Sequence, residues 1–250
     1  MKKIFIHIIK LFLDFFINIL SKINYGRFIL DESNKCIINR KKTVIYKDIK
    51  LEFYIPNRLS YYRTDTFDSK EPETLEWIDK FEKKNIFWDI GANIGLYSCY
   101  AAKKKLCKVY AFEPSVFNLE WLGKNIFLNN LVNEITVIPI PLYQKITENT
   151  LNFSSTEWGG ALTTFGKSYG HDGKDLKKIF EFSTMGISMD EAKNLLKIPQ
   201  PMYIKIDVDG IEYLILKGGE KVLLNTKELL IEVNEKFTEQ KNNCDKYLKE

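Results

Sequence analysis

Residues 86–95 read IFWDIGANIG, an apolar run that ends in an acid followed by two glycines four positions apart. The run IFWDI (86–90) is expected to be a strand and Leu96–Lys105 a helix. At the turn between them Gly91 can take backbone angles closed to other residues, and Gly95 lets a ligand or a helix approach closely. The free amides at the start of the following helix offer donors to an anion or a carboxylate. A glycine pair alone is a weak signal, because tight strand-to-helix turns also use glycine for packing. Its position decides the reading: it follows the first of several apolar strands and precedes an acid at the end of the next.

That acid is Glu113, within Ala111-Phe112-Glu113-Pro114 and 22 residues beyond Gly91. The spacing is close to the roughly 20 residues expected for a carboxylate that accepts from two neighbouring ribose hydroxyls. Pro114 fixes the chain direction as it leaves the strand. A dinucleotide is disfavoured, since its fingerprint requires glycine where Asn93 and Leu96 stand. A nucleoside without phosphates tolerates those side chains better.

Further along, KVYAFE (108–113), EITVIPI (134–140), MYIKIDV (202–208) and ELLIEV (228–233) read as strands. Helices are expected over 116–130 and 213–224, and a Gly-, Ser- and Thr-rich loop over about 154–174. Apolar strands alternating with helices indicate an α/β fold with a mostly parallel sheet and helices on both faces. In such sheets ligands bind beyond the carboxyl ends of the strands. Before this domain, residues 26–62 read as two or three short antiparallel strands, and 72–84 as a helix opening at Pro72. The expected division is an amphipathic helix over 1–25, a β-rich extension with a helix over 26–84, and the α/β domain over 85–250.

Lys205-Ile206-Asp207-Val208-Asp209 forms the second constellation. Lys205, Asp207 and Asp209 share one face of an extended chain, where ionisable groups at the mouth of a buried sheet need partners or work to do. Asp207 could orient a substrate hydroxyl or take its proton, with Lys205 tuning it. A rival reading takes Asp207-Val208-Asp209 as the metal-holding pair of a nucleotide-sugar glycosyltransferase. That pattern is short, and it leaves Gly91, Gly95 and Glu113 unexplained. His171, in the loop, is an alternative base.

These blocks together resemble the FkbM-type methyltransferases: WDIGANIGLYS (88–98), VYAFEPSVFNLEWLGKNIFLNN (109–130), WGGALT (158–163), IKIDVDGIEYLILKGG (204–219) and LLIEVNE (229–235). The resemblance covers roughly 85–236, with the blocks in the family's order. It implies a Rossmann-like class I methyltransferase sheet and S-adenosylmethionine as cofactor. The implied reaction is O-methylation of a sugar or related metabolite, in a setting such as bacterial surface-polysaccharide or lipooligosaccharide modification. By position, Asp89, Gly91, Asn93 and Gly95 would form the loop on the methionine side, with Glu113 as the ribose acid and Pro114 beside it. Asp207 and Glu212 match the acidic motif of the fourth strand, and Glu232 the acid of the fifth. Against the family pattern, Asp209 replaces a glutamate, Ile138-Pro139-Ile140-Pro141 is proline-rich, and the last two strands are expected to be missing.

Composition narrows the classes. A net charge of +4 from 37 basic and 33 acidic residues is too balanced to argue for a nucleic-acid partner. Cys36, Cys99, Cys107 and Cys244 lack C-x-x-C spacing and only His7 and His171 are present, so no metal centre is expected. The free cysteines suit a reduced cytoplasmic protein. Residues 4–20 are strongly apolar, yet His7, Lys10, Asp14 and Asn18 line one helical face and interrupt a span. Packing on the protein, homo-oligomerisation, peripheral membrane contact and a membrane-surface interaction module are the readings open for that helix.

Overall fold

The computed structural model describes residues 2–249. Two helices, α1 (Lys2–Lys22) and α2 (Gly26–Ile38), form an N-terminal arm and pack on each other. Residues 26–38 are therefore helical and not the first of the expected strands. FIL (28–30) and CII (36–38) lie two turns apart on a helix, and the intervening Asp31, Glu32 and Lys35 are poor strand formers, with Lys35 paired to Glu32 at 2.6 Å. The corner needs Gly26, because a Cβ there would overlap the Leu20 carbonyl.

The two strands that do form are β1 (Lys41–Tyr46) and β2 (Ile49–Tyr54), an antiparallel hairpin that turns at Lys47-Asp48 with Lys47 in the left-handed region. Asn125 and Asn129 on a later helix take the hairpin's open edge. The amides of Tyr54 and Glu52 donate to their side-chain oxygens at 2.9 Å each, and Asn129 returns a bond to the Glu52 carbonyl at 2.7 Å. Next come α3 (Arg58–Asp65), capped by Asn57, and α4 (Pro72–Asp79), with proline in its first turn.

The central sheet is parallel throughout. Its strands are β3 (Ile86–Ile90), β4 (Lys108–Phe112), β5 (Ile135–Ile138), β9 (Tyr203–Ile206) and β10 (Glu228–Ile231), in the order β10-β9-β3-β4-β5. On one face Phe87, Val109, Ala111 and Tyr203 pack against α4, α5 (Leu96–Lys105) and α6 (Val116–Leu128). On the other, Trp88, Ile90, Ile204 and Ile206 pack against α8 (Glu212–Lys217) and α9 (Glu220–Leu223). The strand order reverses between β3 and β9, so the crevice beyond their carboxyl ends is the place for a ligand.

Between β5 and β9 the chain inserts a second sheet, whose first and last strands flank the loop expected over about 154–174. Strands β6 (Thr147–Phe153), β7 (Thr163–Phe165) and β8 (Phe180–Gly186) pair antiparallel in the order β7-β6-β8. Polar residues alternate through TENTLNF and FEFSTMG because one face meets solvent, which hides these strands from a search for apolar runs. Helices α7 (Met189–Leu195) and α10 (Thr238–Tyr247) complete the chain's elements.

Of the residues from Ile4 to Lys22, Leu20 alone is buried. The expected helix is present, but its apolar side is not packed against the domain.

Candidate active site

Backbone geometry fixes the cofactor half of the crevice. The turn after β3 places Gly91 at φ +87° and Asn93 at φ +51°, and the Gly91 amide donates to the Phe112 carbonyl at 2.9 Å. A side chain at Gly91 would overlap the Asp207 carbonyl, so the two strand ends can approach this closely only with glycine here. Glu113 is buried at the end of β4. Its Oε2 accepts from the Asn93 amide at 2.7 Å and its Oε1 from the Ser115 amide at 2.8 Å. Burial pushes its carboxyl up to about 7, against the pull of those two amides and of Asn118. Oε2 keeps a lone pair for a ligand hydroxyl, while Oε1 also receives Asn118 Nδ2 at 3.5 Å.

The other half is built from charged side chains. Lys205 and Asp89 lie side by side in register on β9 and β3. Lys205 Nζ donates to Asp207 Oδ2 at 2.5 Å and stands 5.3 Å from the centre of the Tyr97 ring. Burial works against the ammonium, but Asp207 and Asp89 outweigh it and its pKa is raised. Asp207 is also opposed by burial, yet Lys205 and Glu232 hold its carboxyl below the ordinary range. Glu232 stands at the rim after β10. Its hydrogen bond to Asp207, with burial and the Asp207 charge, pushes it up to about 8.

A cavity of about 310 Å³ joins the halves, lined among others by Gly91, Asn93, Glu113, Pro114, Asp207 and Glu232. Asp89 and Gly95 are not in its wall. Asp89 lies behind it, accepting from Ser98 Oγ at 2.5 Å, with Oδ1 buried and unpartnered and its pKa raised by burial. Gly95 lies at φ +86°, and a Cβ there would come within 2.6 Å of Leu122 on α6, so the glycine admits the close approach of that helix.

The loop WGGALT roofs the cavity. Asn93 Nδ2 and Asn118 Nδ2 donate to the Gly160 carbonyl at 2.8 and 3.1 Å, and the Gly159 amide donates to Asn118 Oδ1 at 3.0 Å. Asp209 accepts from the Leu162 and Thr163 amides at 2.7 and 3.3 Å. With Asp207 engaged by Lys205 and Asp209 by the roof, neither acid is free as the glycosyltransferase reading requires. Glu212 is likewise turned inward, accepting from the Val208 and Gly210 amides. Trp158 packs away from the cavity on Trp121, ring centres 5.2 Å apart, and Tyr169 pairs its hydroxyl with that of Tyr213, so neither lines the cavity. His171 does reach the cavity wall.

Sequence reading missed one wall entirely. Arg63, Thr66, Phe67, Lys70 and Glu71 line the cavity from the N-terminal extension, and Arg63 Nε donates to the Gly159 carbonyl at 2.5 Å. No local pattern marks them; the docking of the hairpin on α6 brings them there.

The methyltransferase FkbM domain model matches residues 89–250. The chain belongs to the FkbM methyltransferase family. The glycosyltransferase reading is set aside. It is 25% identical over 157 residues to the hexuronic acid methyltransferase AglP of Haloferax volcanii, covering 63% of this chain and 59% of that protein. It is also 29% identical over 86 residues to a tRNA (guanine(37)-N(1))-methyltransferase of Dictyostelium discoideum, covering 34% of this chain and 16% of that protein. The matched stretch thus spans less than two thirds of either relative. Among solved structures, a precorrin-6Y C5,15-methyltransferase from Geobacter metallireducens superposes with a TM-score of 0.43 at 12% identity, over 71% of this chain and 69% of that one.

The crevice suits this family's cofactor. Its wall sets the Glu113 carboxylate beside the backbone turn at Gly91 and Asn93, which fits the ribose of a nucleoside.

Proposed function

We propose that this chain is an S-adenosylmethionine-dependent methyltransferase acting on a hydroxyl of a sugar or glycan, in modification of a bacterial surface polysaccharide or lipooligosaccharide. We place it in the cytoplasm, free or at the inner face of the membrane. The observation that carries the reaction type is the Lys205–Asp207–Glu232 group, set in the same cavity as Glu113. S-adenosylmethionine, when bound, supplies the methyl group from its sulfonium. Glu113 would accept from its ribose hydroxyls, beside the turn formed by Gly91 and Asn93. Asp207, kept ionised by Lys205, would accept the acceptor hydroxyl's hydrogen bond and hold its oxygen in place. The hydroxyl proton would pass to the Asp207–Glu232 pair once Glu232 is ionised, as it is above its raised pKa of about 8. The similarity to a hexuronic acid methyltransferase supports a sugar acceptor.

Residues 4–20 lie outside the cleft, and we read them as a means of attachment, to a membrane or to a second copy. The test of the reaction is transfer of labelled methyl to neutral hexosides, hexuronates and RNA. Alkali-stable label on a sugar is expected. Label lost in mild alkali, as from a carboxyl ester, or found only in RNA would overturn the hydroxyl reading.

A further inference from the structure

Helix α1 exposes Phe12 to 66% and Phe16 to 50%, along with Ile and Leu side chains through most of its length. Large apolar groups left in water on this scale mark a binding surface. At about 100° per residue, the apolar positions from Ile4 to Leu20 cover roughly two-thirds of the helix circumference. The remaining stripe carries His7, Lys10, Asp14, Asn18 and Ser21. We propose that α1 lies in the plane of an anionic phospholipid membrane, its apolar arc in the acyl boundary and its polar stripe among the headgroups. This rests on reading α1 as an attachment segment and not on the identity of the acceptor.

Three observations favour lipid over a protein partner. A second copy would cover one seam of each helix and leave the rest of so broad an arc wet. Basic residues flank the segment, with Lys2 and Lys3 before it in the sequence and Lys22 and Arg27 at its far end, whereas Asp14 is its single acid. Anionic headgroups would meet those cations. Tyr25, at the corner between α1 and α2, is 78% exposed and has the amphipathic ring that favours a membrane interface.

A spanning arrangement fits less well, although the stretch Ile4–Lys22 is long and apolar enough to cross a bilayer. The polar stripe runs through the middle of the helix, so crossing would place Lys10 and Asp14 deep in hydrocarbon. Lying flat places both at the surface.

The test is flotation of the full-length protein with phosphatidylcholine vesicles, with and without phosphatidylglycerol. The wild type should float with the anionic vesicles at least about tenfold better than with neutral ones, and alkaline carbonate should release it. The Phe12→Glu/Phe16→Glu variant should lose that partition by at least about tenfold while binding S-adenosylmethionine as the wild type does, since both rings lie far from the cleft. Equal flotation of the variant, or no flotation by the wild type, would overturn the proposal, and a dimer that the variant breaks would assign α1 to a second copy. Retention through carbonate would overturn the in-plane placement. Flotation needs no turnover, so its failure leaves the methyl-transfer reading intact.

Discussion

Glu113 and Asp207 stand at the ends of strands on either side of β3, and their surroundings are opposites. Backbone amides hold Glu113, which burial still pushes up to about 7. A buried ammonium holds Asp207, and its carboxyl is drawn below the ordinary range although burial opposes this. Amide dipoles offset part of the cost of a buried carboxylate, and a full positive charge at 2.5 Å more than offsets it. The cofactor side can therefore exchange its own solvation for ligand hydroxyls, whereas the acceptor side keeps a fixed negative charge where the reacting oxygen must be held.

Separate substitutions should pull these halves apart. Asp207→Asn removes the charge but keeps the shape, and Lys205 retains Asp89 as counter-charge. Turnover of labelled methyl should fall by about 10²–10⁴-fold, with cofactor affinity by calorimetry nearly unchanged. Turnover close to wild type would remove Asp207 from its role. Glu113→Gln should do the reverse. Losing a charged acceptor for the ribose hydroxyls is expected to weaken S-adenosylmethionine binding by about 10–100-fold, with turnover at saturating cofactor largely kept. If both variants lower affinity and turnover together, the two halves act as one unit.

The same contrast explains what could be read from sequence. The turn at Gly91 and the acid at Glu113 belong to one strand–helix–strand unit, so spacing alone places them. Lys205 and Asp207 share a face by alternation along one strand, but the register that sets Lys205 beside Asp89 is non-local. Gly95 was open to a ligand or a helix, and Leu122 shows that a helix approaches it. The wall made by Arg63, Thr66 and Lys70 was invisible because Asn125 and Asn129 on α6 bring the extension there, more than 50 residues further along the chain. Residues 26–38 misled for a different reason. Their short apolar runs carry β-forming residue types, and the helix is decided by the two-turn spacing between those runs and by the Glu32–Lys35 pair.

Glu232 sharpens the comparison furthest, through the smallest effect. Its carboxyl is raised from 4.5 to about 8, chiefly by its hydrogen bond to Asp207. Between those two values the folded protein holds a proton that the unfolded chain has lost. The stability from this pairing is therefore full below about pH 4.5, declines as pH rises, and is gone above about 8. Glu232 stands at the solvent-exposed rim, so screening reduces the contribution to about 1 kcal/mol. Glu232→Gln keeps a donor toward Asp207 but cannot titrate. Calorimetric melting from pH 5 to 8.5 should show the wild type losing about 2–4 °C more than the variant. Parallel curves would mean that Lys205 alone sets the charge of Asp207, and that Glu232 is a rim acid outside the pair.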